Sequence, residues 1–379
     1  MSVFPHPKFE REKKTETENI RSMAAKAFGP NEASARTAQP FNAWDIIRPS
    51  LHASGGPWGW THYGIYIPRL PQPYQYLNVL ILVGLVDLTI FNHAEFAPGG
   101  PKAVVHDAEH LTTVMTSTAS KGHHFVRGYD SSTDCDFPDS GTPLRWGKDF
   151  SMEFTFPHKA VVTGAFETHG WEYRLEFDMS PQAVWFIATP FYEHLSLPIS
   201  GTAILSGEPI PISGCIEYAR CKPPPGLPLE IHAAVARSTN YFIYHVVELR
   251  DSRQILWGEV RNGFMPPRKF VHVRTVPDGR VLDEYTTELR VELLDEELVT
   301  DSLGRQTRMP TKFTASVVVG SGRKVLEVAG RVNTPLRDGA GRGFVGGYDA
   351  VVTYKGEETR ARGMFEWVDL ELQEQKANL

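Results

Sequence analysis

Gly207-Glu-Pro-Ile-Pro-Ile-Ser-Gly214-Cys-Ile-Glu217-Tyr-Ala219 and Gly356-Glu-Glu-Thr-Arg-Ala-Arg-Gly363-Met-Phe-Glu366-Trp-Val368 share one spacing. Each has Gly-Glu, five residues, Gly, two residues, then Glu, an aromatic and a small apolar residue. Each closes a long run of strand-like sequence, and the second lies almost at the C-terminus. The self-match predicts two copies of one unit that end in the same strand.

Working outward, the signal from Trp44 onward is strand after strand. His169, Trp171, Tyr173, Leu175 and Phe177 alternate with Glu172, Arg174 and Glu176, which is period two. Trp58, Trp60, His62 and Tyr66 fall on one face of an earlier run, and Pro68, Pro71 and Pro73 break it. Tyr76–Phe91 and Lys102–Thr118 are further candidate strands. Tyr241, Ile243, His245, Val247 and Leu249 share a face in the second half. Asp278-Gly279 and Ser321-Gly322 read as hairpin turns. Lys222-Pro-Pro-Pro-Gly-Leu-Pro228 can continue neither a central strand nor a helix, so it reads as a linker. The expected architecture is all-β: two tandem antiparallel β-barrels, 41–221 and 222–379, behind a short N-terminal arm, 1–40. Within the arm, Thr15–Phe28 reads as one short helix ended by Gly29-Pro30.

The bulk numbers bound the function. A chain of 379 residues with net charge −6 is long enough for two domains and has no basic footprint for nucleic acid. Cys135, Cys215 and Cys221 form an odd, sparse set that fits a reducing compartment rather than a disulfide framework. No stretch reads as a membrane span, and the charged start MSVFPHPKFEREKK lacks a signal-peptide core. The expectation is a cytoplasmic protein.

Several pieces resemble a known family. Gly56-Pro57-Trp58 looks like the Gly-x-Trp opening of lipocalins. Tyr244–Asp251, Met309-Pro310, Gly347-Tyr-Asp-Ala-Val351 and Gly363-x-x-Glu366 resemble the closing module of AttH-like proteins, a group related to carotenoid 1,2-hydratase (hydroxyneurosporene synthase), tocopherol cyclase and fungal Diels–Alderases. The chain departs from that pattern at Asp349, where the family carries Glu, and at Ser252, where it carries Gly. The resemblance implies tandem lipocalin-like barrels. It also implies action on a hydrophobic small molecule, such as an isoprenoid, polyketide or aromatic, without an organic cofactor. It does not supply one reaction.

Histidines concentrate in the first half, which favours a site in the first barrel. His62 and His169, each among aromatics on one strand face, are the leading acid–base candidates with Tyr173. His93 and Glu95 come next, as a His–carboxylate pair two residues apart. Trp58, Trp60, Tyr66, Trp171 and Trp185 would form the aromatic wall of a cavity for the ligand. His106 and His110 lack a third donor at metal-site spacing, so no metal is expected. Gly339-Ala-Gly-Arg-Gly343 is not followed by a helical pattern, and no phosphate loop or nucleophile elbow occurs, so no cofactor is expected. Glu217 and Glu366 recur in both copies, which favours a structural role. Arg360 and Arg362 near Glu366 predict a solvated, ion-paired face.

The expected activity is a cofactor-free isomerase, cyclase, hydratase or other lyase. The alternative is a carrier or sensor that uses the same cavity without chemistry. Two filled barrels acting as an interaction scaffold form a third reading.

Overall fold

The computed structural model describes residues 18–23, 26, 31–37, 60–221 and 238–371, apart from 85–88, 92, 139–140, 191, 206, 302–303, 305 and 321. Trp58, the Gly-Pro-Trp opening and the proline-rich linker lie outside the described residues.

The first sheet runs through β1 (Trp60–Ile67), β2 (Leu77–Val83), β3 (Leu111–Thr118), β4 (His124–Asp130), β5 (Cys135–Asp136), β6 (Leu144–Trp146), β7 (Phe150–Thr155), β8 (Lys159–Phe166), β9 (Trp171–Met179), β10 (Val184–Ala188), β11 (Tyr192–Ile204) and β12 (Pro209–Cys221). Its strand order is β4-β3-β2-β1-β12-β11-β9-β8-β7-β6-β5, with β10 paired to β11. The second sheet comprises β13 (Thr239–Glu248), β14 (Arg253–Asn262), β15 (Met265–Thr275), β16 (Val281–Tyr285), β17 (Leu289–Thr300), β18 (Gln306–Val319), β19 (Arg323–Val332), β20 (Arg337–Asp338), β21 (Phe344–Tyr354) and β22 (Glu357–Asp369). Its order is β16-β15-β14-β13-β22-β21-β19-β18-β17, with β20 paired to β21. The two orders follow the same path, except that the first adds β6 and β5 at its end. In each, the last strand closes against the first, β12 on β1 and β22 on β13. Glu217 and Glu366 therefore occupy equivalent places, each three residues past the equivalent glycine, Gly214 or Gly363.

Both sheets curl on themselves in the lipocalin-like manner. In the first, the Trp146 indole on β6 donates to Thr112 Oγ1 on β3 (2.9 Å), joining opposite ends of the strand order. In the second, Lys269 of β15 donates to the Leu289 carbonyl of β17 (2.9 Å). Each interior is packed with large side chains. Tyr63, Phe154, Phe166, Trp171, Tyr173 and Trp185 belong to the first core. Tyr241, Trp257, Phe313, Tyr348, Phe365 and Trp367 belong to the second. His245 lies in the second interior, its ring 3.6 Å from that of Trp257 and its pKa held well below the ordinary value by burial.

A third cluster lies between the barrels. Trp60, Tyr66 and Leu80 of the first meet Phe242, Tyr244 and Met364 of the second. Phe186 and Phe270 stack across this seam with ring centres 4.3 Å apart. Every residue of β1 is buried. Its odd face (Tyr63, Ile65, Ile67) fills the first barrel, and its even face (Trp60, Tyr66) lines the seam. The N-terminal arm contributes residues 18–23 as helix and a short helix at Ala33–Thr37. The latter docks on β10: Thr37 Oγ1 accepts from the Trp185 amide (2.9 Å), and Asn31 Oδ1 accepts from the Ala188 amide (2.8 Å).

Some expected strands are shorter than their apolar runs. Gly84, at φ +78, ends β2, and Thr89–Phe91 forms a 3-10 turn instead of continuing the strand. His169 lies in the 3-10 turn Glu167–His169, so the alternating strand starts at Trp171. His110 also ends a 3-10 turn, because Asp107 caps it by accepting from the Glu109 amide.

Close strand packing makes some glycines obligatory. A Cβ on Gly201 would sit 2.1 Å from the Glu176 carbonyl oxygen on β9. That clash is with backbone, so no rotamer relieves it. Gly201→Ala is expected to cost about 1–3 kcal/mol, measured as a fall in the thermal midpoint followed by circular dichroism. An unchanged midpoint would mean that β9 and β11 lie further apart.

Candidate functional site

Alternation along β12 places Cys215, Glu217 and Ala219 on the seam face and Ile216 and Tyr218 inside the first barrel. On β22 it places Met364, Glu366 and Val368 on the seam face and Phe365 and Trp367 inside the second. Both glutamates are buried, at 0% and 1% exposure, so the expectation of a solvated, ion-paired face is corrected. Arg360 and Arg362 do share the Glu366 face, but they lie further along β22, where it leaves the seam.

Gly64 of β1 lies opposite Glu217 in the ladder, and a Cβ there would meet Glu217 Oε1 at 2.5 Å. The missing side chain leaves room for the carboxylate. His62 donates from Nε2 to Glu217 Oε1 (2.8 Å) and from Nδ1 to the Ile81 carbonyl (2.9 Å). With an acceptor at each nitrogen, the ring is an imidazolium. Burial opposes that charge, yet the hydrogen bond and charge of Glu217 hold the His62 pKa above its ordinary value. His194 donates from Nε2 to Glu217 Oε2 (3.2 Å), and its Nδ1 accepts from Tyr192 (3.3 Å). Burial outweighs Glu217 there and keeps His194 below its ordinary value, hence neutral. Burial also works against ionised Glu217, but the hydrogen bonds from His194 and His62 bring its pKa down to about 2.

The Tyr66 hydroxyl lies 2.9 Å from Glu217 Oε1 and 3.0 Å from Glu366 Oε2, so it bridges the two barrels. A phenol has one proton to give. It donates to ionised Glu217 and accepts from Glu366, which must be protonated. The surroundings agree: burial and the nearby Glu217 charge push Glu366 up to about 7 against the pull of His62. Glu366 Oε1 accepts from the Ala340 amide (2.6 Å). This amide belongs to the glycine-rich connection 339–343. A Cβ on Gly341, at φ +65, would lie 2.2 Å from the Ile90 carbonyl oxygen, so only glycine permits the approach. The Gly341 amide donates to His93 Nε2 (2.7 Å). Phe91 stacks over Trp60 (5.6 Å) and His62 (6.5 Å). A void of about 10 Å³, bordered by Trp60, Phe91 and His93, lies beside them. It has room for about one water.

The seam continues away from the glutamates. Arg274, buried on β15, donates to the Ser196 carbonyl (3.0 Å), to Ser196 Oγ (3.0 Å) and to Gln254 Oε1 (2.6 Å). Burial lowers its pKa. Tyr244 donates to Ser196 Oγ at 3.3 Å.

Of the residues singled out in the sequence, His62, Trp60, Tyr66 and His93 come together, at the seam and not inside the first barrel. Trp171, Tyr173 and Trp185 belong to the first barrel's core, across β1 from them. His169 is exposed and accepts from or donates to Thr168 Oγ1 (2.8 Å). The expected convergence of the His62 and His169 faces therefore does not occur: β1 turns its even side away from the barrel. Glu95 lies in a turn rather than on a strand with His93, and it pairs with Lys102 at 3.7 Å. Sequence reasoning missed His194, Tyr244 and the acid–base character of Glu217 and Glu366. A signal was present. Each glutamate is flanked two residues away by small or apolar residues, Cys215 and Ala219 or Met364 and Val368. Among the described residues no group of three His, Cys, Asp or Glu side chains is arranged to hold a metal ion. No described helix is long and apolar enough to cross a membrane.

A family model described as a family of unknown function, DUF6670, matches residues 80–378. No curated protein matches the chain. Among solved structures, kievitone hydratase from Nectria haematococca aligns at TM-score 0.51 and 10% identity, over 88% of this chain and 97% of that one. An AttH candidate from Nitrosomonas europaea aligns at TM-score 0.48 and 14% identity, over 82% and 92%. CghA aligns at TM-score 0.40 and 10% identity, over 83% and 89%. At 10% identity the likeness to kievitone hydratase concerns the fold alone.

Linkage makes the Glu366 proton measurable. Unfolded, Glu366 titrates near 4.5; folded, it titrates at about 7. Its contribution is therefore complete below about pH 4.5 and is lost as the pH rises to about 7. At about 1.4 kcal/mol per pKa unit the loss reaches about 3 kcal/mol. Glu366→Gln is expected to remove this slope from urea-unfolding free energies measured across the window. Glu248, whose pKa burial also raises to about 7 against Arg69, contributes to both proteins and cancels in the difference. Equal slopes for the two proteins would show that Glu366 is ionised in the fold.

Proposed function

For a chain that belongs to the DUF6670 family, we propose acid–base catalysis at the seam between the barrels: a cofactor-free hydratase, cyclase or other lyase or isomerase acting on a hydrophobic small molecule. One observation carries this reading. Two buried carboxylates, one from each barrel, are bridged by a single phenol and held in opposite protonation states. An acid poised near neutral pH beside a paired base is the arrangement that proton transfer requires. The fold shared with a protein whose name is that of a hydratase supports the reaction class.

In this reading Glu366 gives its proton to an electron-rich carbon or oxygen of the substrate. The resulting carboxylate lies close to ionised Glu217 and is short-lived. Tyr66 passes it a proton and takes one from Glu217, which takes one from His62. The net transfer leaves His62 neutral, Glu217 ionised and Glu366 protonated again. Neutral His194 is then the group able to accept the proton lost by an attacking water or by the substrate. The substrate's apolar body would lie among Trp60, Phe91 and Leu82, displacing Phe91 from its place over His62, because the present void holds about one water. Exclusion of bulk water there strengthens each of these interactions.

The test is a panel of prenylated phenols, isoprenoid alkenes and polyenes incubated with the protein in D2O, with water addition, cyclisation and deuterium uptake read by mass spectrometry. Glu366→Gln and Tyr66→Phe are expected to lower the rate at least about 100-fold while the fold, followed by circular dichroism, persists. Ligand binding with no turnover in the wild type would favour the carrier reading. Turnover that survives both substitutions would overturn the assignment.

A further inference from the structure

The same face of β22 that carries Glu366 runs on through Arg362 and Arg360 to a groove of about 560 Å³. Its lining includes Arg69, Arg250, Arg331, Arg360 and Arg362, with Asp349 as the one carboxylate among the lining residues. The register explains the cluster. Arg331 lies opposite Asp349, and Asp349 opposite Arg362; two residues along, Ala329 lies opposite Val351, and Val351 opposite Arg360. Period two turns both rows outward. Arg69 arrives from the connection between β1 and β2 of the first barrel, and Arg250 from the turn after β13.

The positive charge is not neutralised from within. Asp349 is engaged by Arg362 (3.1 Å) and by Asn333 (2.6 Å). Arg362 also donates to Gln75 (3.0 Å), and Arg69 faces Glu248. Among the described residues, the side chains of Arg250, Arg331 and Arg360 have no hydrogen-bond or ion-pair partner. Five guanidinium groups face one lining carboxylate, and with Glu248 beside Arg69 also counted the groove keeps three positive charges in excess. The whole chain carries −6, so this concentration is not a by-product of a basic composition. Like charges converging on a concave surface repel unless an anion joins them, and the guanidinium fork matches phosphoryl oxygens in paired hydrogen bonds. A charge of this size suits a multiply charged group rather than a single carboxylate. Between the arginines, Ala329 and Val351 form an apolar strip, with Val351 39% exposed.

We propose that this groove binds a small organic phosphate or diphosphate, its phosphoryl group held by Arg331 and Arg360 and its apolar body lying on Ala329 and Val351. The proposal is independent of the chemistry at the seam.

The experiment is calorimetric titration of the full chain with decyl phosphate below its micellar concentration, against inorganic phosphate and decyltrimethylammonium. Decyl phosphate is expected to bind, more weakly as salt rises, and decyltrimethylammonium not to bind. The double variant Arg331→Gln/Arg360→Gln is expected to bind at least tenfold more weakly with an unchanged thermal midpoint, since neither side chain has a partner to lose. Four outcomes would overturn the proposal: no binding by the wild type; equal affinity in the variant; inorganic phosphate binding as tightly as decyl phosphate; or association with phosphatidylglycerol vesicles but not with the monomeric ligand.

Discussion

One phenol bridges a buried carboxylate of each half of this protein. Tyr66 lies between Glu217 of the first barrel and Glu366 of the second, and one proton cannot serve two ionised acceptors. One carboxylate must therefore stay protonated. His62 and His194 decide which, because they bond to Glu217 and leave Glu366 with a backbone amide and the phenol. The asymmetry between two copies of one motif thus comes from the partners that each barrel supplies.

Burying such groups is expensive, and the seam shows how the expense is contained. An ionised pair buried without further hydrogen bonds would destabilise the protein. Here each acceptor has its donor: Glu217 takes three hydrogen bonds, from His62, His194 and Tyr66. Gly64 clears the space beside Glu217, and Gly341 lets the connection 339–343 approach the Phe91 turn. Around this polar centre, Trp60, Phe91, Phe242, Phe186 and Phe270 exclude water, which makes every charge interaction within it stronger. Arg274 extends the network by binding a serine of one barrel and a glutamine of the other. Specific partners on both sides leave little freedom for one barrel to slide on the other.

The all-β class, the tandem path and the equivalence of the closing strands were readable directly, because strand alternation and turn residues are local signals. The spacing of Gly214 and Glu217 against Gly363 and Glu366 marked equivalent positions without any knowledge of the sheets. The face holding Trp60, His62 and Tyr66 was also visible as a face. Which way that face points was not. In β1 both faces are buried, so apolar content cannot separate the barrel interior from the seam. His169 was misplaced because Glu167–His169 closes into a turn just before the strand, and alternation alone does not mark where a strand begins.

The sequence by itself determined which residues alternate, where the chain turns and that one unit occurs twice, since each depends on neighbours a few positions apart. Only the tertiary structure decided that the two glutamates meet, that His62 serves the seam rather than a barrel cavity, and that scattered arginines converge on one groove. Those relations join residues as many as 300 positions apart, as Tyr66 and Glu366 are. They follow from how the two curled sheets press together, and no local pattern encodes that.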